Sequence, residues 1–227
     1  MAGLIRQIIF DYDGVFTNDD YTTVLTALNK SSGLEVGEIN NRCGELERLY
    51  VLSPDSKEFL GRMKKEFKFP GTTDDLAALL NERGDSGLFA AFPRFLSWKN
   101  DGDGRRGLSI LSNQIAYRVP YVRGELDFRI GLEHFDRVWF SPEVGLQKPF
   151  VGFTQDTSST MDIEGVNIFP FAINQMLHLD YLYNECVFID DSAKNVESAR
   201  RAGLNGILFK GVEQMLTELE EGYQVRV

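Results

Sequence analysis

The chain has little of what several common kinds of active site need. Only two cysteines and two histidines occur among its 227 residues. Cys43 and Cys186 lie far apart, and neither has a Cys or His neighbour at metal-ligand spacing, so we expect two reduced, packed thiols. His134 and His178 suggest no Ser-His-Asp arrangement. The chemistry is therefore expected to come from other side chains.

The chain also lacks an excess of basic residues and any long apolar run. The 24 Lys and Arg residues against 34 Asp and Glu give a net charge of −10. This balance argues against nucleic acid and anionic membranes as partners, because basic patches hold such surfaces. No apolar run approaches the ~18 residues of a membrane span, and the first residues lack the features of a signal peptide. We expect a cytoplasmic monomer or homodimer that binds neither nucleic acid nor membrane.

Apolar runs and helical patterns alternate along most of the chain. The predicted strands are residues 5–10, 108–111, 137–140, 186–189 and 206–209. The stretch "DSAKNVESARRAG" predicts a helix whose apolar face includes Val196 and Ala199 and whose stop is Gly203. Strands that alternate with helices favour an α/β fold, a doubly wound parallel sheet of the Rossmann-like kind.

The interval between the first two strands is helical throughout. Four helical patterns lie there, the third with Ser53 as its N-cap and the fourth ending at Gly84. We therefore expect a small helical domain at residues 16–90, inserted into a core domain that residues 1–15 and 91–227 form.

A second irregular stretch, residues 150–167, is polar, rich in Ser and Thr and weakly periodic. It is predicted to be a long loop, and such loops are usually either functional or disordered. We expect it to border the inserted helical domain and to help set substrate choice; the alternative is a surface excursion that contacts nothing.

Polar residues follow four of the predicted strands. They are Asp11 and Asp13 after the first, Ser112 and Asn113 after the second, Lys148 after the third, and Asp190 and Asp191 after the fourth. Because parallel strands end at one edge of the sheet, these side chains are expected to converge. Carboxylates at the end of a buried strand need a bound cation, a basic side chain or exposure to water. Several together suit Mg²⁺, and a lysine with a hydroxyl suits a phosphate group.

These stretches carry a resemblance to a known family. "DYDGV", "LSN", the lysine of "EVGLQKP" and "FIDDSAKNVESARRAGL" stand in the order of the four motifs of the haloacid-dehalogenase-like superfamily of hydrolases. The chain resembles the members with a helical cap, in the branch of phosphatases and phosphosugar mutases. It departs from the family at residues 150–167, which intervene where a helix usually starts directly after the third motif.

The resemblance implies a nucleophile and a metal site. Asp11 would attack phosphorus and form an aspartyl-phosphate, and Asp13 would protonate the leaving oxygen and later activate water. Mg²⁺ would be held by Asp11, the backbone carbonyl of Asp13 and Asp191, with Asp190 bound either directly or through water.

It also implies a binding site for the transferring phosphoryl group. Ser112, Asn113 and Lys148 would hold the phosphoryl oxygens, with Lys148 also stabilising charge during the reaction. Gly14 would permit the sharp turn that closes the phosphate site.

The function expected from the sequence is a Mg²⁺-dependent phosphatase whose partner is a small phosphorylated metabolite. Asp13 and the pair Asp190 and Asp191 favour phosphate chemistry over dehalogenation, because the dehalogenating members of the family lack the second carboxylate of the first motif and use no metal. Two alternatives stand beside this hypothesis. One is a phosphosugar mutase, and the other is a catalytically idle binding or regulatory module on the same fold.

Overall fold

The computed structural model describes residues 4–18, 20–102, 104–148 and 167–227. Within these ranges five strands form one parallel sheet in the order β3-β2-β1-β4-β5. They are β1 Gln7–Phe10, β2 Gly107–Ser112, β3 Arg137–Phe140, β4 Cys186–Asp190 and β5 Asn205–Leu208. The predicted α/β fold with a doubly wound parallel sheet is confirmed.

Helices cover both faces of the sheet. In the described part of the chain they are α5 Leu88–Asn100, α6 Val119–Arg129, α7 Ser141–Val144, α8 Ile168–Leu177, α9 Ala193–Arg201 and α10 Val212–Tyr223. Ile8 and Phe10 point to the layer of α5, α6 and α10, whereas Ile9 points to α8 and α9. Since β1 is apolar on both faces, it takes the centre of the sheet.

Four further helices lie between β1 and β2. They are α1 Thr22–Ser32, α2 Val36–Tyr50, α3 Ser56–Glu66 and α4 Thr73–Asn81. Their apolar faces pack into a buried cluster of their own, with Phe59, Phe67 and Leu76 at most 1% exposed. Ile115 joins this cluster from the segment after β2. We call α1 to α4 the cap helices.

The chain enters and leaves the cap helices through two paired segments. Thr17 and Asp85 form an antiparallel bridge, and Asn18 exchanges hydrogen bonds of 2.9 and 3.1 Å with Gly84. Beyond this pairing, Leu88 of α5 packs with the sheet. The division of the chain into a core at 1–15 and 91–227 and a domain at 16–90 stays a prediction.

Several predicted boundaries were wrong. The first strand begins at Gln7 and not at residue 5. The N-cap of α3 is Asp55, which accepts a hydrogen bond from the Lys57 amide at 2.9 Å, because the Ser53 hydroxyl is already bonded to the Asp55 amide in the preceding turn. Helix α4 ends at Asn81, because the backbone of the next residue is extended and leads into the pairing at Gly84.

Residues 149–166 lie outside the described residues, so the predicted loop at 150–167 is not described apart from its last residue. The residues on either side of this segment are close together. Gln147 and Asn167 form a parallel bridge, and the Ile168 amide donates to the Gln147 carbonyl at 3.0 Å. The chain therefore resumes beside the point where it departs.

In the part of the chain that the structure describes, no helix combines the length and the apolar character that crossing a membrane requires. Cys43 and Cys186 are free thiols.

Candidate active site

Three carboxylates meet where β1 and β4 end. Asp11 directly follows β1 and its amide donates to the Ile189 carbonyl at 2.9 Å, so β4 still holds it in register. Asp190 is the last residue of β4 and Asp191 is the next. One oxygen from each of these three carboxylates lies within 4.8 Å of the others. The parallel sheet thus brings together acids separated by almost the whole chain.

Lys148 joins this cluster as a buried cation. It is 1% exposed, and its Nζ forms ion pairs with Asp11 and, at 2.7 Å, with Asp190. Asn113 fixes the backbone of this lysine: its Oδ1 accepts from the Lys148 amide at 2.8 Å and its Nδ2 donates to the Lys148 carbonyl at 3.3 Å. The segment directly after β2 therefore helps to fix the backbone of Lys148.

The protonation of Asp11 depends on what surrounds it. Burial raises the pKa of Asp11 well above its ordinary value; the positive charge of Lys148 opposes this, and the carboxylates of Asp190 and Asp191 add to it. Burial by itself would lower the pKa of Lys148, but Asp11 and Asp190 raise it above its ordinary value, so the lysine is charged. Lys148 pairs with two of the carboxylates, and the third, Asp191, lies within 4.8 Å of both.

Asp190 accepts hydrogen bonds from three neighbouring residues. Its oxygens accept from the Ser192 amide at 2.8 Å and from Asn195 Nδ2 at 3.0 and 3.1 Å, in addition to Lys148. Asn195, in the first turns of α9, was not among the residues predicted from the sequence. Its place in the "FIDDSAKN" stretch, within the first turn of the helix that follows Asp190, is the signal that could have found it.

Gly14 closes the turn after β1. The Val15 and Phe16 amides donate to the Tyr12 carbonyl at 3.3 and 2.8 Å, and Gly14 has a φ of +74°. A Cβ at this position would overlap the carboxylate of Asp191. Glycine is therefore needed here both for its backbone conformation and because a side chain from β4's end packs against its backbone.

Asp13 belongs to a second, separate network. Arg118 donates to both of its oxygens, at 2.6 and 3.0 Å, and Gln114 Nε2 donates to Oδ2 at 2.8 Å. Burial alone would raise the pKa of Asp13, but Arg118 outweighs it, with smaller contributions from the charge of Arg83 and from the Gln114 hydrogen bond, and lowers the pKa below its ordinary value. Asp13 is thus held as a carboxylate.

Ser112, at the end of β2, is 1% exposed and lies in contact with the same network. Its hydroxyl accepts a hydrogen bond of 3.0 Å from Gln114 Nε2. The backbone amide of Gln114 in turn donates a hydrogen bond to Ser141 Oγ at 3.0 Å. Gln114 therefore links Ser112 to Asp13, a role that sequence reasoning missed although the residue directly follows the "LSN" stretch.

Arg118 was also missed. It lies in a 3-10 turn, Ala116–Arg118, and is 6% exposed. In addition to the hydrogen bonds that Arg118 donates to Asp13, its Nε donates to Asn81 Oδ1 at 3.3 Å. Since Asn81 ends α4, one side chain connects the strand-end acids with the cap helices. Nothing in the local pattern around Arg118 distinguishes it from a surface arginine.

A cavity of about 480 Å³ opens beside Asp13. Its walls come from the start of α1, from α2 and from the segment after β2. Apolar side chains such as Leu25, Met63 and Ile115 line it together with the guanidinium groups of Arg83 and Arg118. A volume of this size accommodates a small organic molecule next to the acids.

Comparison with known proteins gives structures but no sequence matches. No family model matches the chain, and no curated protein matches it. Among solved structures, a predicted HAD-like family hydrolase from Porphyromonas gingivalis is 19% identical, with a TM-score of 0.67 over 96% of this chain and 100% of that one.

Two further structures are similar over comparable lengths. A HAD family enzyme from Bacteroides thetaiotaomicron, in complex with magnesium and inorganic phosphate, is 16% identical, with a TM-score of 0.63 over 91% of this chain and 95% of that one. YfnB from Bacillus subtilis, named as a HAD-hydrolase and bound to magnesium, is 14% identical, with a TM-score of 0.59 over 96% of this chain and all of that one.

Taken with the sheet order and the strand-end acids, these likenesses define an α/β protein with a Rossmann-like parallel sheet and helices inserted after its first strand. More particularly, its fold is that of the HAD-like hydrolases. The resemblance seen in the sequence is confirmed at the level of the fold.

Proposed function

We propose that this protein is a Mg²⁺-dependent phosphatase of a small phosphorylated metabolite. The observation that carries the proposal is the cluster of three carboxylates with oxygens within 4.8 Å of one another, placed against a buried lysine. This combination provides a nucleophile, a cation site and a positive charge for a phosphate group in one place. The Bacteroides enzyme of the same fold, solved with magnesium and inorganic phosphate, supports the assignment.

The donor set fits Mg²⁺. All three side chains offer carboxylate oxygens, the ligands that this hard cation prefers. Burial is the main cause of the raised pKa of Asp11, and the neighbouring carboxylates of Asp190 and Asp191 add to it, whereas a bound cation would favour the ionised form. We assign Asp11, Asp191 and the Asp13 carbonyl as ligands. Asp190 is already bonded to Lys148 and Asn195, which favours its contact with the metal through water.

In the first step, an oxygen of Asp11 attacks phosphorus and the bond from phosphorus to the leaving oxygen breaks. Asp13 donates a proton to that oxygen, so the product leaves as an alcohol and the phosphoryl group stays on Asp11. Bound Mg²⁺ would neutralise charge on the phosphoryl oxygens. Because Arg118 holds Asp13 ionised in this structure, its contact with Asp13 has to loosen for the acid to take up a proton.

In the second step, Asp13 accepts a proton from water while the water oxygen attacks phosphorus. The bond to Asp11 breaks and inorganic phosphate is released. The ionised state that Arg118 and Gln114 favour is the state that a base requires. The contacts of Asp13 therefore support its role as base more directly than its role as acid.

The phosphoryl oxygens are assigned to Ser112 and Lys148. The Ser112 hydroxyl accepts from Gln114, and among the described residues no acceptor for its own proton is found, so it can donate to a phosphoryl oxygen. Asn113 is already engaged with the backbone of Lys148, and we assign it to positioning that lysine. Gly14 keeps side-chain atoms away from Asp191 at the edge of the site.

We also propose that the cap helices cover the site and bind the leaving group, which the position of the cavity supports. Lids of this kind exclude water from reactive intermediates.

The proposed function is tested by measuring the phosphate released from p-nitrophenyl phosphate and acetyl phosphate. The wild type is expected to turn over with Mg²⁺ and to stop reversibly in EDTA. Asp11→Asn is expected to abolish turnover with the fold retained, because an amide cannot attack phosphorus. Asp101→Asn, an exposed acid at the end of α5, is the matched control. Full activity of Asp11→Asn, or of the wild type in EDTA, contradicts the mechanism.

A further inference from the structure

The cavity beside Asp13 contains two guanidinium groups with different surroundings. The guanidinium of Arg118 is neutralised by Asp13, which it grips through two hydrogen bonds. Arg83 also lines the cavity, yet among the described residues no carboxylate forms an ion pair with it. The positive charge of Arg83 is therefore available to pair with a bound molecule.

The surroundings of Arg83 hold its guanidinium in a fixed plane. The group lies over the ring of Tyr21, 4.1 Å from the ring centroid, and Nη1 donates to the Glu82 carbonyl at 2.8 Å. Nε is buried and has no hydrogen-bond partner among the described residues. The ring of Tyr21 and the Glu82 carbonyl therefore limit the positions that the guanidinium can take.

We propose that Arg83 binds a second anionic group on the leaving group of the substrate, a carboxylate or a phosphate. A planar guanidinium pairs with either group through two parallel hydrogen bonds, which a hydroxyl cannot accept in the same way. The substrates would then be small phosphate monoesters with a second acid. This inference rests on the proposed phosphatase function and narrows its substrate class.

Acidic residues also line the cavity, and they would favour a positively charged leaving group over an anionic one. Asp20 accepts a hydrogen bond from the Thr22 amide at 3.0 Å and so is engaged at the start of α1. Glu47 also lines the cavity, from α2, and its charge is opposite to that of Arg83. If the enzyme prefers an ester that carries an amine to one that carries a second acid, Glu47 and not Arg83 would be the residue that recognises the leaving group.

The test compares three-carbon phosphate esters that end in a carboxylate, a second phosphate, a hydroxyl or an ammonium group. The wild type is expected to favour at least one of the two anionic esters over the hydroxyl ester by about 10-fold or more in kcat/KM. Arg83→Gln should lower that ratio by about 10- to 100-fold, the range for losing a charge-assisted pair. Arg83→Lys, which keeps the charge but not the planar fork, should recover part of it.

The matched control is Arg62→Gln. Arg62, in α3, also has its guanidinium over a tyrosine, 5.7 Å from the ring centroid of Tyr50, but it is not among the residues that line the cavity. This variant should keep the wild-type ratio. An unchanged ratio in Arg83→Gln, or a wild type that favours the hydroxyl or the ammonium ester, overturns the proposal.

Calorimetric binding of the same esters to Asp11→Asn separates this inference from the proposed function. One possible result is that Arg83→Gln weakens binding of the anionic esters in the Asp11→Asn background, whereas the wild type hydrolyses neither these esters nor p-nitrophenyl phosphate. In that case the phosphatase function fails and the anion site stands. If the wild type hydrolyses p-nitrophenyl phosphate but anionic esters bind equally with and without Arg83, the anion site fails alone.

Discussion

The two acids that follow β1 are compensated differently, although only one residue separates them. Asp13 faces a single guanidinium, Arg118, which matches its charge and both of its oxygens. Asp11 shares Lys148 with Asp190 and lies close to Asp191 as well, so its charge is only partly offset. The question of how a buried strand can end in two carboxylates thus has two answers: a basic partner for one, and a proposed metal site for the other.

Gly14 offers a residue-scale test of this geometry. We expect Gly14→Ala to lose Mg²⁺-dependent phosphatase activity by about 100-fold or more, because the new Cβ displaces the Asp191 carboxylate. It should also lose about 1–2 kcal/mol of unfolding free energy, since its φ of +74° disfavours a side chain. Activity assays and urea unfolding measure the two effects.

Gly33→Ala is the control for this substitution. Gly33 has the same φ of +74°, but a Cβ there would meet no atom within 4 Å. A similar loss of stability with unchanged activity is expected. Wild-type turnover by Gly14→Ala would show that Asp191 need not occupy its observed position.

How far the site could be predicted from the sequence depends on what fixes each residue. The convergence of Asp11, Lys148 and Asp190 could be predicted because each lies at the end of a strand or in the segment after it, and a parallel sheet brings strand ends to one edge. Arg118 and Gln114 could not, because their contacts with Asp13 depend on the path of the chain after β2. Periodicity and composition carry no information about that path.

At the scale of elements, the strands were predictable to within one or two residues, since each is a short apolar run that the sheet buries. Helix ends were less so. Two residues before α3 can act as caps, and the local bond from the Ser53 hydroxyl to the Asp55 amide decides that Asp55 is the one. Such competition between neighbouring polar side chains is settled by backbone conformation, which the sequence leaves open.

Helix α4 begins with a capping box whose contribution can be measured. Thr72 Oγ1 accepts from the Asp75 amide at 3.1 Å, and Asp75 Oδ2 accepts from the Thr72 amide at 2.8 Å. Thr72→Ala is expected to lower the unfolding free energy by about 1 kcal/mol, because it leaves a first-turn amide without its partner. Urea unfolding measures the change, and Thr217→Ala, an exposed mid-helix threonine of α10, is the control with little expected effect.

The same capping box predicts a dependence on pH. Hydrogen bonds from the amide and hydroxyl of Thr72 lower the pKa of Asp75 below its ordinary value of 3.8. A carboxyl whose folded pKa is lowered stabilises the fold above its unfolded pKa and loses that contribution as the pH falls through the folded value. The stability difference between wild type and Thr72→Ala should therefore stay constant near neutral pH and shrink below about pH 4. A difference that grows on acidification contradicts this account.

At the scale of the whole molecule, the cap helices are tied to the strand ends at several points. Ser141 Oγ donates to the Val51 carbonyl at 3.1 Å, Phe59 stacks on Tyr117 with ring centroids 5.6 Å apart, and Asn81 accepts from Arg118. The insertion of helices after β1 could be predicted from the pattern of the sequence. These contacts could not be predicted, because they join residues that are far apart in the sequence and come together only in the folded chain.

The last prediction concerns the segment that interrupts the third motif, residues 149–166. Gln147 and Asn167 pair with each other, and Asn113 bonds the backbone of Lys148, so described residues hold the lysine and the two chain ends that flank this segment. Replacing residues 150–165 with a four-residue Gly-Ser turn is therefore expected to keep the fold, with unfolding free energy within about 1 kcal/mol of wild type, because the free energy of loop closure depends only weakly on loop length.

The shortened protein should also continue to hydrolyse p-nitrophenyl phosphate. The ranking of phosphorylated metabolites by kcat/KM should change, because the sequence predicts that this segment borders the cap helices. A variant with the same residues in scrambled order controls for length. If the shortened protein is folded and keeps both the ranking and the KM values, the segment has no part in substrate choice and the cap helices alone determine it.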